Sequence, residues 1–121
     1  MEKVQLILIV LWIVLALTYL LGDVFRIFAG DFKPGEVMGK KLSQATWLGM
    51  SMVMVIPIIM VFLTLVLENP LNRTLNLVLG GFFFLFNIVG LPSYPGWYDR
   101  FLIVVGLVFN VLTIVYAWNW V

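Results

Sequence analysis

Four uncharged, apolar runs, at residues 4–21, 45–67, 75–91 and 101–121, occupy most of this chain and fix its solvent. A helix crosses the hydrocarbon core of a bilayer with roughly 20 predominantly apolar residues, in a range of about 17 to 25. In that core every backbone N–H and C=O must be satisfied within the protein, which leaves helices or a closed barrel. Barrel strands alternate polar and apolar residues, whereas residues 53–66 run apolar almost without interruption. The composition, 64% hydrophobic and 11% charged, departs from the about 45–50% and about 25% of soluble domains. The sequence therefore predicts an all-α integral membrane protein.

Function classes narrow with the residue types that are missing. The chain has no cysteine and no histidine, so thiol chemistry, disulfides, cysteine-ligated iron–sulfur clusters, histidine-ligated haem and the usual zinc sets are not expected. No cofactor or metal is expected. A net charge of +1 gives no case for nucleic acid. The first run follows Lys3 as a secretory signal would, but it is longer than the about 7–15 residues of a signal's apolar core. We read it as a retained helix.

Punctuation along the chain sets the helices at about 4–28, 45–68, 72–90 and 99–120, in a single transmembrane domain over residues 1–121. Pro34-Gly35 marks a turn in the polar segment 30–43. Asn69-Pro70 ends helix 2, and the connection to helix 3 is so short that those helices are expected as antiparallel neighbours. A link rich in Pro, Gly and aromatics, residues 91–98, precedes helix 4. Short links favour an up-down-up-down four-helix bundle.

Orientation follows from the Lys/Arg bias. The side with the termini carries Lys3 and Arg73, and the other side carries Arg26, Lys33, Lys40, Lys41 and Arg100. The positive-inside rule then places the first and third loops in the cytoplasm and both termini outside. Trp47, Tyr94, Trp97 and Tyr98 are expected at one membrane interface, and Tyr116, Trp118 and Trp120 at the other.

Polar residues inside or beside the runs are the candidates for chemistry. Asp23 and Arg26, spaced i,i+3, share a helical face. They read as an interfacial ion pair or as an ion or substrate contact at a bundle mouth, within reach of Asp99 and Arg100 at the start of helix 4. Glu68 and Arg73 suggest a second interfacial pair. Asn110 lies about 16 Å along helix 4 from Asp99 at a 1.5 Å rise, near the bilayer midplane. An amide there is expected to face the bundle interior. Pro57 frees a carbonyl in helix 2, and the deep Trp12 indole wants an acceptor, so Asn110 is expected to bond one of them. Their joint reading is a polar midplane site or a packing bond. Asn87 follows a phenylalanine run and Gly80-Gly81, glycines expected to let a neighbouring helix approach closely, and the methionines of helix 2 read as adaptable packing. Asn72-Arg73-Thr74 matches a glycosylation sequon but abuts the membrane in a tight turn.

Four short segments carry a family likeness: residues 18–24 (TYLLGDV), 55–61 (VIPIIMV), 72–76 (NRTLN) and 116–120 (YAWNW). Together they resemble a family of small bacterial four-helix membrane proteins of unknown function. The resemblance implies an acidic residue just before the helix 2 proline and another within helix 4. Val55 and the stretch around Gly106 stand there instead, which weakens a proton-coupled carboxylate.

The function these readings favour is a small, non-catalytic membrane bundle in a bacterial cytoplasmic membrane, working as a homo-oligomer or as an accessory subunit of a membrane protein partner, with the lipid bilayer as its surroundings. The alternative is a small transporter or channel for an uncharged or hydrophobic solute, with Asn110 and Trp12 as lining residues. Small multidrug exporters rely on a glutamate in the first helix, and residues 4–21 hold no acid. An enzyme would have only Asp23, Arg26, Asp99 and Arg100 for acid, base or anion contact, and is not expected.

Overall fold

Long unbroken helices are what the apolar runs demand, and the computed structural model, which describes residues 2–30, 36–37, 40–94 and 96–120, contains four. Helix α1 spans Lys3–Phe28 and stops where Gly30 adopts a positive φ of 80°. Its 26 residues make about 39 Å of helix. Helix α2 (Gln44–Val66) opens at Ser43, whose Oγ accepts the Thr46 N–H at 3.2 Å. This cap satisfies a donor with no partner inside the helix. Helix α3 spans Leu71–Gly90, and after a 3-10 turn at Leu91–Ser93, α4 spans Trp97–Trp118. All four are long and apolar enough to cross a membrane.

The helix ends fall within two residues of expectation. Helix α2 stops at Val66 because Leu67 is already extended, at φ −77° and ψ 151°. Helix α4 begins at Trp97, after an extended Gly96. The first connection contains an unanticipated pair of two-residue strands, β1 (Glu36–Val37) and β2 (Lys40–Lys41), antiparallel with Glu36 opposite Lys41. The Pro34-Gly35 turn lies outside the described residues.

The helices alternate in direction. The start of α1 meets the end of α2 through Gln5 and Thr64, the end of α1 meets the start of α4 through Arg26 and Asp99, and the start of α3 meets the end of α4 through Arg73 and Ala117. Extensive packing joins α2 to α1, α1 to α4 and α4 to α3. The expectation that α2 and α3 are close neighbours needs correction. They are tied at their shared turn but pack sparsely along their lengths. Bulky rings from α1 reach α3 there. Trp12 and Tyr19 each lie 6.0 Å, centroid to centroid, from Phe83.

The interior has two apolar clusters. Leu8, Leu11, Ala117 and Trp120 form one near the chain termini, and Trp12, Leu15, Met60 and Phe83 form the other further along. Trp120, at the end of the bundle that carries the termini, is turned toward the protein. It is buried, and its indole donates to the Glu2 carboxylate. Large apolar side chains such as Leu17, Leu20, Phe62, Leu85, Val89 and Phe101 point outward.

Candidate functional site

Polar side chains line the inside of this bundle. On α3 the buried residues are Asn72, Asn76, Gly80, Phe83 and Asn87, spaced by fours and threes, which places them on one helical face. On α4 they are Asp99, Gly106, Asn110, Thr113 and Ala117. Gly80 lets the two faces close on each other, since a Cβ there would lie 3.3 Å from side-chain carbons of Thr113 and Ile114.

The first polar layer sits near the α2–α3 turn. The last carbonyls of a helix lack partners within it, and at the end of α2 side chains supply them. Asn72 Nδ2 donates to the Thr64 carbonyl at 2.8 Å and the Leu67 carbonyl at 3.0 Å. Gln5 Nε2 donates to the Thr64 carbonyl at 2.9 Å and the Leu65 carbonyl at 3.1 Å. One turn further along α3, Asn76 Nδ2 donates to Asn72 Oδ1 at 2.9 Å, and Asn76 Oδ1 accepts the Trp12 indole N–H at 2.7 Å. Trp12 thus has its acceptor.

The second layer lies 11 residues along α3, about 16 Å at a 1.5 Å rise. Tyr19 donates its hydroxyl to Asn87 Oδ1 at 3.1 Å, and Asn87 Nδ2 donates to Asn110 Oδ1 at 2.7 Å. Asn110 is fully buried, and its Nδ2 has no hydrogen-bond partner among the described residues. Leu15 and Phe83 fall between the two layers on α1 and α3, and with Met60 they fill that level with apolar side chains.

Beyond the second layer, at the end of the bundle that carries the first and third connections, the charges gather. Arg26 donates through Nη1 to Asp99 at 2.6 Å and through Nη2 to Asp23, and its guanidinium lies 5.3 Å from the centre of the Tyr94 ring. Asp99 is buried while the Asp23 side chain is 62% exposed. Gly22 makes room, since a Cβ there would come within 3.2 Å of Arg26 Nη1. Arg100 stays out of this cluster. It donates to the Tyr94 carbonyl at 2.7 Å and lies 5.8 Å from the centre of the Trp97 ring.

The residues expected at midplane are thus placed in two different layers. Trp12, Pro57 and Asn110 are all buried, but Asn110 bonds Asn87 and not Trp12 or the carbonyl freed by Pro57. Asparagines on α3 partner the first and the last of these: Asn76 accepts the Trp12 indole N–H, and Asn87 donates to Asn110. The Glu68–Arg73 pair is also corrected. Arg73 instead donates to the Ala117 and Trp118 carbonyls, both at 3.0 Å, where a cation suits the negative end of α4. Asn72 is 1% exposed, which removes the sequon as an acceptor site.

Sequence reasoning treated the asparagines singly and missed Asn72, Asn76 and Tyr19 as interior groups. The signal available was the stripe formed by Asn72, Asn76, Gly80, Phe83 and Asn87 within an otherwise apolar helix. Chemically, the two layers offer amides, a hydroxyl and an indole, which position partners by hydrogen bonding.

No curated protein and no solved structure matches the chain. The model of a family of unknown function, DUF6326, matches residues 1–120. A match over nearly every residue settles the assignment: the chain belongs to family DUF6326.

Proposed function

We propose that this protein is an integral membrane bundle without a catalytic site, embedded in a bacterial cytoplasmic membrane and acting as a homo-oligomer or as an accessory subunit of a membrane protein partner. The observation that carries this reading is its inverted polarity: Asn72, Asn76, Asn87, Asn110 and Thr113 are buried, while large apolar side chains cover the outside. In water such a surface would far exceed the few hundred Å2 of contiguous apolar patch that a monomer exposes. In lipid it is the natural arrangement, and the buried amides tie helices together. Gentle detergent extraction of native membranes followed by affinity purification tests the proposal. The protein should resist alkaline carbonate washing and elute as a homo-oligomer or with a stoichiometric membrane partner. Recovery in the carbonate-soluble fraction, or as a lone monomer at every detergent concentration, would overturn it.

Passage of an uncharged or hydrophobic solute is the second reading. The unmet Asn110 amide beside Asn87 favours it, and the apolar level of Leu15, Met60 and Phe83 would have to part for any solute to pass.

A further inference from the structure

A cleft of about 640 Å3 opens at the end of the bundle that carries the termini, between the start of α1, the end of α2 and Trp120 after α4. Small-molecule sites have volumes of roughly 300–1,000 Å3. The groups that line this one are rich in acceptors and poor in free donors. Glu2 and Glu68 both line it, and neither has a cationic partner among the described residues. The Trp120 indole donates to one oxygen of Glu2, which leaves the other oxygen to accept. Gln5 spends both Nε2 hydrogens on the Thr64 and Leu65 carbonyls, so its oxygen is what remains. Val66 supplies the last carbonyl of α2. The residue four further on is Pro70, which has no N–H to give it, and the carbonyl stands at the negative end of the helix. Of the lining side-chain donors, the Trp120 indole and the Gln5 amide are already used, and the Asn69 amide is left.

We propose that this cleft binds a primary ammonium group. A protonated amine brings one positive charge and three N–H donors, which suit two carboxylates and the Val66 carbonyl. The lining suits a metal ion less well. No group of three or more His, Cys, Asp or Glu gathers among the described residues, whereas Ca2+ takes about six to eight oxygen ligands. Two sources share the ammonium chemistry: the headgroup of an aminophospholipid such as phosphatidylethanolamine, and a small soluble alkylamine. Leu65 and Val66 expose apolar side chains beside the cleft, so a headgroup can enter it while its chains lie along the apolar exterior. The lipid source rests on the membrane reading above, and the soluble one does not.

The test uses the full chain, 15N-labelled, and reads the indole N–H resonance of Trp120, identified as the one lost in Trp120→Phe. Two arms separate the sources. The first places the protein in nanodiscs of phosphatidylcholine, whose headgroup has no N–H, and replaces that lipid stepwise with phosphatidylethanolamine. The second titrates ethylammonium chloride into the protein in a neutral sugar detergent, so that failure to enter nanodiscs bears on the membrane reading alone. Tetramethylammonium chloride, of the same charge but without N–H, is the control. A saturable shift of the Trp120 indole that the buried Trp12 indole does not share supports the site, with a lipid occupant in the first arm and a soluble amine in the second. Glu68→Gln, at an exposed position, should raise the midpoint about tenfold, the factor for one lost hydrogen bond to a charged group, and leave the rest of the spectrum in place. No saturable shift in either arm, an equal shift with tetramethylammonium, or an unchanged midpoint in Glu68→Gln would overturn the proposal.

Discussion

Partnership decides what a polar residue is worth in this bundle. Arg26 holds a buried carboxylate, Asp99, and an exposed one, Asp23. Removing one partner of a buried pair leaves an uncompensated charge, at about 3–5 kcal/mol, whereas an exposed pair contributes about 0–1 kcal/mol. Arg26→Ala should therefore lower stability by about 3–5 kcal/mol, and Asp23→Ala by no more than about 1 kcal/mol. Equal losses in reversible detergent unfolding would show that Asp99 is not the partner that matters. Asn76 receives the Trp12 indole and donates to Asn72, so Asn76→Leu strands donors and acceptors on two helices. A loss of about 1–2 kcal/mol is expected by the same assay, with a change in Trp12 fluorescence as its local signature. An unchanged emission spectrum would argue against the Trp12–Asn76 bond. The sequence alone identified Asn110 and Trp12 as groups needing partners, because an amide or indole at bilayer depth has nowhere else to turn. It did not identify the partners, since that depends on how far each helix slides along its neighbour.

Helices were the most legible level, because the length of an uncharged apolar run and the prolines and glycines that end it are local properties. Which faces meet is not local, and the α3 stripe shows the difference. Asn72 and Asn76 stand near the start of that helix and read in sequence as the rim of a turn. The end of α2, whose carbonyls Asn72 meets, and the reach of Trp12 from α1 bring them inside. The α3–α4 contact is the tightest place to probe this element. A Cβ at Gly80 would press Thr113 and Ile114 at 3.3 Å, while one at Gly81 meets nothing within 4 Å. Gly80→Leu should then separate the helices and cost about 1–3 kcal/mol, as overpacking does. Gly81→Leu should be close to neutral in the same unfolding series. Comparable destabilisation by both would mean that α3 does not present the Gly80 face to α4.

For the whole molecule, a bundle of the proposed membrane kind, with an apolar exterior and its charges toward the two ends, has one remaining freedom, its direction across the bilayer. The Lys/Arg bias of the sequence is unequal: the first and third connections and the helix ends beside them carry Arg26, Lys33, Lys40, Lys41 and Arg100, against Lys3 and Arg73 for the other side. Two details sharpen the asymmetry. Arg73 spends its charge on the last carbonyls of α4, and Arg26 is neutralised by two acids. The bias therefore rests most on the first connection, where Lys41 is exposed beside β1. Positive charge in short loops keeps them on the cytoplasmic side, so the first connection should face inward. Because the chain has no cysteine, single replacements Lys41→Cys and Asn119→Cys report without background, and both positions are exposed. A membrane-impermeant maleimide applied to intact cells should label position 119 and reach position 41 only after lysis. The opposite pattern would invert the orientation and put the Arg26–Asp99 cluster on the outer face. Labelling at both positions in intact cells would mean that molecules insert both ways, as a bundle with so slight a charge difference would if the Lys41 side did not dominate.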